Sequence, residues 1–221
     1  MNKMPKADPS STANTPDAPR TRGRPRDPGL RGRIIEIARA HFAAQGFDGA
    51  SLDRIAAAAG TSRVTVYSYF ETKEGLFKAT ATEPLERVFK VDTEALDPLQ
   101  PQRGLAQLGK AYLQLMLDPG AVANSRLLYG GGPKHPELTQ SFYQSGPQLV
   151  ADTLASYLAK VHKAQVLKLP NVDQAAEQFL ALVRGNEQVR ALLNLAPARE
   201  GAAATAYLKS CVDLFVKGYA R

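Results

Sequence analysis

The chain contains few side chains that could catalyse a reaction or bind a metal ion. Its histidines, His41, His135 and His162, lie far apart in the sequence, and Cys211 is the only cysteine. A structural zinc site needs several such ligands at short spacings, and a disulfide needs two cysteines. Catalysis by histidine needs a partner group in a defined arrangement. We therefore expect no enzyme, no metal ion and no cofactor.

A different set of side chains, between Arg63 and Phe70, is suited to contact DNA. If this segment is a helix, Val66 and Phe70 share one face, and Val64 and Ser68 lie on the opposite face. The first face can pack on a preceding helix. The second offers a guanidinium, methyl groups and hydroxyls to base edges, and two flanking tyrosines offer hydroxyls to phosphate oxygens.

The basic residues are concentrated at the N-terminus. Of the net charge of +7, residues 1–33 contribute +5, with eight Lys or Arg against three Asp or Glu. Residues 1–28 contain no Val, Ile, Leu or Phe, so we predict a disordered basic arm. Within the arm, Arg22-Gly23-Arg24-Pro25-Arg26 is typical of segments that enter the minor groove of DNA. The alternative is a basic tail that only improves solubility.

Short helices must position the segment from Arg63 to Phe70. Apolar spacing predicts a first helix from Ile34 to Gly46, and a capping serine and a glycine bound a second helix over 51–60. Thr61-Ser62 is predicted to cap the third helix, and Thr72 to cap a fourth helix running toward Pro84. Two short helices joined by a turn with a glycine form a helix-turn-helix, whose second helix enters the major groove.

The string over residues 51–76, SLxxIAxxAGTSxxTVYxYFxxKExL, resembles the DNA-binding domain of TetR-family transcriptional regulators. The pattern AxFxxxGF over residues 40–47 also matches that family. The resemblance implies an all-α fold, with an N-terminal three-helix helix-turn-helix domain and a helical C-terminal domain for ligand binding and dimerisation. We place the arm at 1–28, the DNA-binding domain at 29–83 and the C-terminal domain at 84–221.

The resemblance also implies individual DNA contacts. Four residues match family positions that bind backbone phosphates: Thr65, Tyr67, Tyr69 and Lys73. Three match positions that lie against base edges: Arg63, Val64 and Ser68. With the arm and the capping residues, the predicted DNA-binding set is Arg22, Arg24, Arg26, Ser51, Thr61, Ser62, Arg63, Val64, Thr65, Tyr67, Ser68, Tyr69 and Lys73.

The strings RLL over 126–128, PELxxxFYxxGP over 136–147 and AEQFL over 176–180 look like the AefR-like branch of the same family. Prolines divide this part of the chain into about five further helices, of which 173–194 and 200–219 are the longest. We predict a loop between helices at Gly130-Gly131-Gly132. No segment alternates as a β-strand would.

The last two predicted helices carry wide apolar faces. Over 173–194 these residues recur every three or four positions, as in a heptad seam with one polar Asn. One such face could simply close the core of the monomer, but two favour a four-helix dimer interface. The predicted interface residues are Phe179, Leu182, Asn186, Val189, Leu193, Leu208, Val212 and Phe215.

Apolar and aromatic residues elsewhere in the C-terminal domain predict a pocket for a flat or hydrophobic effector. Each of these residues, taken singly, could instead belong only to the core. The predicted pocket residues are Tyr112, Met116, Leu128, Phe142, Tyr143 and Phe179.

These inferences predict a homodimeric transcriptional regulator that binds a double-stranded, pseudo-palindromic operator. We expect a repressor that a small, largely apolar ligand releases from DNA. The alternative is a ligand-independent architectural DNA-binding protein with the same arm and helix-turn-helix. No apolar run approaches the roughly 20 residues of a membrane span, and the N-terminus lacks the apolar stretch of a secretory signal. We therefore expect a cytoplasmic protein with no membrane partner.

Overall fold

The structure, a computed structural model, describes Met1 and residues 29–131, 134–197 and 199–220. These residues form helices and loops and no β-strand, which confirms the predicted all-α fold. A π-helix, Gln144–Gln148, lies between the seventh and eighth α-helices. In the described part, no helix combines the length and the apolar character that crossing a bilayer requires. The α-helices are α1 (Leu30–Gly49), α2 (Leu52–Ala58), α3 (Arg63–Phe70), α4 (Lys73–Val88), α5 (Pro101–Met116), α6 (Pro119–Gly131), α7 (Pro136–Tyr143), α8 (Leu149–Lys163), α9 (Val172–Arg184), α10 (Glu187–Leu192) and α11 (Gly201–Gly218).

The N-terminal part, which we call the head, comprises α1 to α3 and the first turns of α4. Its core contains Ile34 and Phe42 of α1, Ile55 of α2, Val66 of α3 and Phe77 of α4. The apolar helix faces predicted from the sequence therefore meet in one core. The same core includes Leu128 and Leu138 of α6 and α7, so the head packs directly on the C-terminal part of the chain.

Two of the three predicted helix caps are present in the head. The Ser62 Oγ accepts a hydrogen bond from the Thr65 N–H at 3.1 Å, and the Thr72 Oγ1 accepts one from the Gly75 N–H at 2.9 Å. The prediction that Ser51 caps α2 is wrong for its side chain, which makes no capping bond. Its backbone has the extended conformation of a cap residue, and Asp53 places a negative charge in the first turn of the helix.

Helix α4 continues through the buried Pro84 to Val88, beyond the end suggested by the sequence. Phe77 packs in the core of the head, whereas Leu85 packs in the core of the C-terminal part. The domain boundary that we place between residues 83 and 84 thus lies inside one continuous helix. One continuous helix therefore joins the two cores.

The prediction of a single long helix over 173–194 is wrong, because this segment forms two helices, α9 and α10. Gly185 has a φ of +49°, a left-handed conformation that favours glycine. A Cβ at this position would lie 2.7 Å from the hydroxyl oxygen of Tyr207. After the break, the buried carboxylate of Glu187 pairs with Arg199 at 2.9 Å. The heptad seam therefore does not continue along one helix.

The prediction of a loop at residues 130–132 is wrong for Gly130 and Gly131, which belong to α6. Helix α6 includes Tyr129 and Gly130 and ends at Gly131, while Gly132 lies outside the described residues. Glycine lowers the stability of a helix interior but does not forbid it. Tyr129 thus lies on α6, and its side chain borders a cavity of the C-terminal part.

Candidate DNA-binding surface and ligand cavity

Helix α3 buries one face in the head and exposes the other. Val66 and Phe70 are buried, and Val64 on the opposite face is 78% exposed. The side chains predicted to contact DNA are exposed at five positions: Ser62, Arg63, Val64, Tyr67 and Ser68. The others among the described residues are half-buried at the edge of this surface: Ser51, Thr61, Thr65, Tyr69 and Lys73. Arg22, Arg24 and Arg26 lie outside the described residues.

Arg63, at the start of α3, is held from two sides. Its Nη1 donates to the Asp53 carboxylate of α2 at 3.0 Å, and its Nη2 donates to the Tyr67 hydroxyl at 3.2 Å. The guanidinium also lies over the Tyr67 ring, 5.4 Å from its centroid. The hydrogen bond to Tyr67 and the charge of Asp53 raise the pKa of Arg63. The Tyr67 hydroxyl accepts from Arg63 and so keeps its own proton available for a phosphate oxygen.

Lys73 is packed against the last turn of α1, which follows a kink at Gly46 (φ +72°) and contains Phe47 and Asp48. Its Nζ donates to the Asp48 carbonyl at 3.2 Å and lies 4.8 Å from the centroid of the Phe47 ring. His135, just before α7, contacts the same turn through the Asp48 carboxylate at 3.0 Å and the Phe47 ring at 5.1 Å. No sequence pattern predicts that His135, 62 residues after Lys73, contacts the same turn. The C-terminal part therefore touches the element that holds a predicted phosphate-binding lysine.

The C-terminal part contains a partly open cavity of about 600 Å³, lined by residues of α4 to α10 and of the π-helix. Five of the six residues predicted for a ligand pocket line it: Tyr112, Met116, Leu128, Phe142 and Tyr143. Phe179 does not, because its ring is fully buried and packs on Phe215 at 5.1 Å between centroids. The neighbouring Leu180 lines the cavity instead.

The cavity also has polar lining residues that were not predicted from the sequence. Glu177 and Arg184 are exposed on α9 and line it on one side, and Tyr129 lines it from α6. Glu177 and Arg184 lie seven residues apart, on the same helix face as Leu180, so helical spacing could have indicated them. Burial raises the pKa of Tyr112, and the Arg184 charge opposes this shift. The cavity thus combines an apolar interior with hydroxyls, a carboxylate and a cation.

A polar cluster, which we call the junction, joins α1, α4 and α6. Pro84 has no N–H to donate to the Thr80 carbonyl four residues earlier. The Asn124 amide of α6 donates to that carbonyl at 2.6 Å, and the Arg39 guanidinium of α1 approaches it at 3.5 Å. Arg39 also pairs with Glu83 at 2.7 Å. The proline therefore leaves an acceptor inside α4 that two other helices use.

The junction extends to the start of α6. Arg87 bridges Glu83 at 2.8 Å and Asp118 at 2.6 Å, and both carboxylates raise its pKa, Asp118 the more strongly. The other oxygen of Asp118 accepts from the N–H groups of Gly120 and Ala121 and so caps α6. The chain of contacts from α1 to the N-terminus of α6 is continuous.

The residues predicted for a dimer interface fall into three groups of burial. Phe179, Val212 and Phe215 are buried within the monomer, where they belong to the core of the C-terminal part. For these three residues the burial favours the alternative, in which such a face only closes the core of the monomer. Leu182 and Leu208 are half-buried, and the exposed members are Asn186, Val189 and Leu193. Leu214 of α11, which was not predicted, is also exposed.

The head and its exposed α3 define a helix-turn-helix DNA-binding protein. Residues 34–80 match the family described as bacterial regulatory proteins, tetR family, and residues 103–221 match the AefR-like transcriptional repressor, C-terminal domain. The chain therefore belongs to the TetR family of transcriptional regulators, in its AefR-like branch.

Individual relatives agree with this assignment. The HTH-type transcriptional regulatory protein RaaS of Mycobacterium tuberculosis is 32% identical over 155 residues, which are 69% of this chain and 66% of RaaS. The chain thus spans just under two thirds of that curated relative. The solved flavonoid-responsive regulator FrrA is 30% identical, with a TM-score of 0.69 over 86% of this chain and 97% of FrrA. The solved structure of a TetR-family regulator from Mesorhizobium loti is 25% identical in sequence. The match has a TM-score of 0.71 and covers 87% of this chain and 97% of the Mesorhizobium loti chain.

Proposed function

We propose that the protein is a homodimeric repressor that leaves its operator when a small, largely apolar ligand enters the cavity. The observation that carries the proposal is the position of α6. Its Ser125 and Leu128 line the cavity, whereas the adjacent Asn124 donates to the Thr80 carbonyl at the junction. A ligand that displaces α6 would therefore also displace α4, and with it the head.

The proposed DNA contacts divide by chemistry. Tyr67 and Lys73 bind phosphates, and Arg63, Val64 and Ser68 contact base edges in the major groove. Each protomer contacts one half-site. Half-sites read from one face of B-DNA lie about 34 to 36 Å apart, so a shift of a few ångströms between the heads disrupts one set of contacts.

The role of the basic arm is proposed from its sequence. Arg22, Arg24 and Arg26 enter a narrow minor groove beside the half-site. Deletion of residues 1–26 should lower affinity most for operators with A·T-rich flanks and leave the unfolding midpoint unchanged. Equal affinity of the truncated and full-length proteins at physiological salt would reduce the arm to a solubility tail.

The proposed dimer uses the apolar side chains that the monomer leaves exposed. Val189, Leu193 and Leu214 are each more than half exposed, and their burial against a second copy is favourable. Leu214→Glu should give a folded monomer with much weaker operator binding, as measured by light scattering and DNA titration. Leu99→Glu is the matched control, because Leu99 is equally exposed but lies in a loop before α5. A dimeric Leu214→Glu protein would exclude this interface.

The roles of the head residues are tested by two variants. Lys73→Ala should weaken binding to all duplexes alike and lower the slope of log affinity against log salt by about one. Arg63→Ala should instead reduce the preference for the operator over other sequences. If Lys73→Ala changed sequence preference and left the salt slope intact, the two roles would be wrongly assigned.

Ligand release is tested by linkage. FrrA, which has a similar fold, is named a flavonoid-responsive regulator, and this supports a flat aromatic ligand for the cavity here. A ligand that releases DNA must bind the free protein more tightly, and saturating operator must weaken ligand binding by the same factor. We would measure the affinity of a panel of flavonoids by calorimetry with and without operator duplex. If no compound in a broad apolar panel binds, or all bind equally with and without DNA, the architectural alternative holds.

A further inference from the structure

Asp53 is an acidic residue beside the predicted DNA-contacting Arg63, where a negative charge opposes the approach of phosphates. Its side chain lies in the first turn of α2 and is 65% exposed. The carboxylate accepts the hydrogen bond from Arg63 at 3.0 Å and so links α2 to α3. Exposed ion pairs of this kind contribute little to folding stability. Because the contact between Asp53 and Arg63 adds little to stability and lies on the predicted DNA-binding surface, we infer that it acts in DNA binding.

An unrestrained arginine at this position would pair with any phosphate within reach. Here the Arg63 guanidinium lies between the Asp53 carboxylate and the Tyr67 hydroxyl, which restricts its orientation. These two hydrogen bonds leave other N–H donors of the Arg63 guanidinium unused. The guanidinium can therefore still make a bidentate contact with a base. Arginine makes such a contact most often with the O6 and N7 atoms of guanine in the major groove.

We propose that Asp53 is a positioning residue for DNA recognition, which orients Arg63 toward guanine and prevents it from pairing with phosphates. The inference rests on the proposed function, because it requires α3 to lie in the major groove. The Asp53 carboxylate also repels phosphates of every sequence, which lowers affinity for DNA in general. The protein thereby loses non-specific affinity and gains discrimination at the base pair that Arg63 contacts.

The test compares a selected duplex with a scrambled duplex of the same length. The full-length wild-type protein selects the first from randomised DNA, and the ratio of the two dissociation constants is the specificity ratio. Asp53→Asn should lower this ratio by about three- to tenfold, mainly through tighter binding to the scrambled duplex. The salt slope for that duplex should steepen by about one, because the released Arg63 pairs with a phosphate.

Two further variants control for charge and for the carboxylate. Glu94→Gln makes the same change in net charge at a side chain that is 83% exposed in the loop between α4 and α5. We expect it to leave the specificity ratio within about twofold of the wild-type value, since it lies outside the head. Asp53→Glu keeps a carboxylate within reach of Arg63 and should retain most of the ratio.

A purely structural role for Asp53 predicts different results, because a carboxylate in the first turn also stabilises α2. A lower melting temperature for Asp53→Asn with an unchanged ratio and salt slope would overturn the proposal.

In an Arg63→Gln background, Asp53→Asn should not change the specificity ratio further, since the side chain that Asp53 positions is absent. An undiminished effect there would show that Asp53 acts on DNA independently of Arg63, and would overturn the proposal too. If the wild-type protein selects no sequence, the proposed function itself fails, and this result is obtained before any variant is made.

Discussion

Arg39 and Arg63 both lie in the head and both join two helices, but their surroundings are opposite. The Arg39 side chain is 8% exposed, pairs with Glu36 of α1 and Glu83 of α4, and contacts the Thr80 carbonyl of α4. The Arg63 side chain is 52% exposed and contacts Asp53 and Tyr67. The number of partners is similar, so burial decides the role. The buried arginine fixes α1 against α4, and the exposed arginine keeps N–H donors that remain accessible from outside the protein.

The physical basis of this difference is desolvation. Removal of one partner from a buried ion pair leaves the other charge without water and without a counter-ion. Removal of one partner from an exposed pair returns the other to water at little cost. The junction should therefore respond to mutation through stability, and the DNA-binding surface through affinity.

The largest effect is expected for Arg39→Met, which removes the charge and keeps an unbranched side chain of similar reach. Glu83 retains Arg87 as a partner, so we expect a loss of about 3 kcal/mol in the free energy of unfolding, at the lower end for a broken buried pair. The measurement is urea denaturation followed by circular dichroism. Arg63→Met is the matched control, with an expected change within about 0.5 kcal/mol. Equal losses for the two variants would contradict the comparison.

A smaller effect is expected at the Thr80 carbonyl. Asn124→Leu removes the donor at 2.6 Å and should cost about 2 kcal/mol of unfolding free energy, because the carbonyl is buried. Pro84→Ala restores a backbone N–H that can donate to the same carbonyl within α4. In the Pro84→Ala background, Asn124→Leu should therefore cost about 1 kcal/mol less. Strict additivity of the two changes would show that the proline does not create this acceptor.

The head was predictable from sequence because its signals are local. Capping residues such as Ser62 and Thr72, and the spacing of Val66 and Phe70, act within one or two helical turns. The same reasoning failed at Gly185, where spacing alone predicted a continuous helix over 173–194. The break depends on contacts distant in sequence, namely the Tyr207 hydroxyl beside Gly185 and the pair of Glu187 with Arg199.

The candidate sites divide in the same way. The exposed face of α3 follows from helical spacing, whereas the Arg63 to Asp53 contact depends on how α2 packs against α3. For the cavity, composition indicated the aromatic lining but could not separate Phe179, which is core, from Leu180, which lines the cavity. The two residues are adjacent, and only the rotation of α9 against its neighbours decides between them.

The smallest effect at neutral pH concerns a buried tyrosine of the C-terminal part. Tyr157 is fully buried on α8, and its hydroxyl donates to the Asp97 carbonyl at 3.2 Å. Tyr157→Phe should cost about 1 kcal/mol of unfolding free energy at neutral pH, through the lost hydrogen bond. Tyr67→Phe on the exposed surface is the matched control and should change it by less than about 0.5 kcal/mol.

Alkaline pH should enlarge the contribution of Tyr157, and this separates burial from the loss of a single hydrogen bond. Burial, and secondarily the Asp97 charge, raise the pKa of Tyr157 from 10.0 to about 12. The folded state therefore retains the proton more strongly than the unfolded state, so this stabilisation is complete below pH 10 and is lost as the pH rises toward 12. The wild-type free energy of unfolding should fall over this range by about 2 to 3 kcal/mol more than that of Tyr157→Phe. Urea denaturation at a series of pH values measures both curves. Parallel curves would mean that Tyr157 titrates alike in the folded and unfolded states, and its burial would then have no thermodynamic consequence for ionisation.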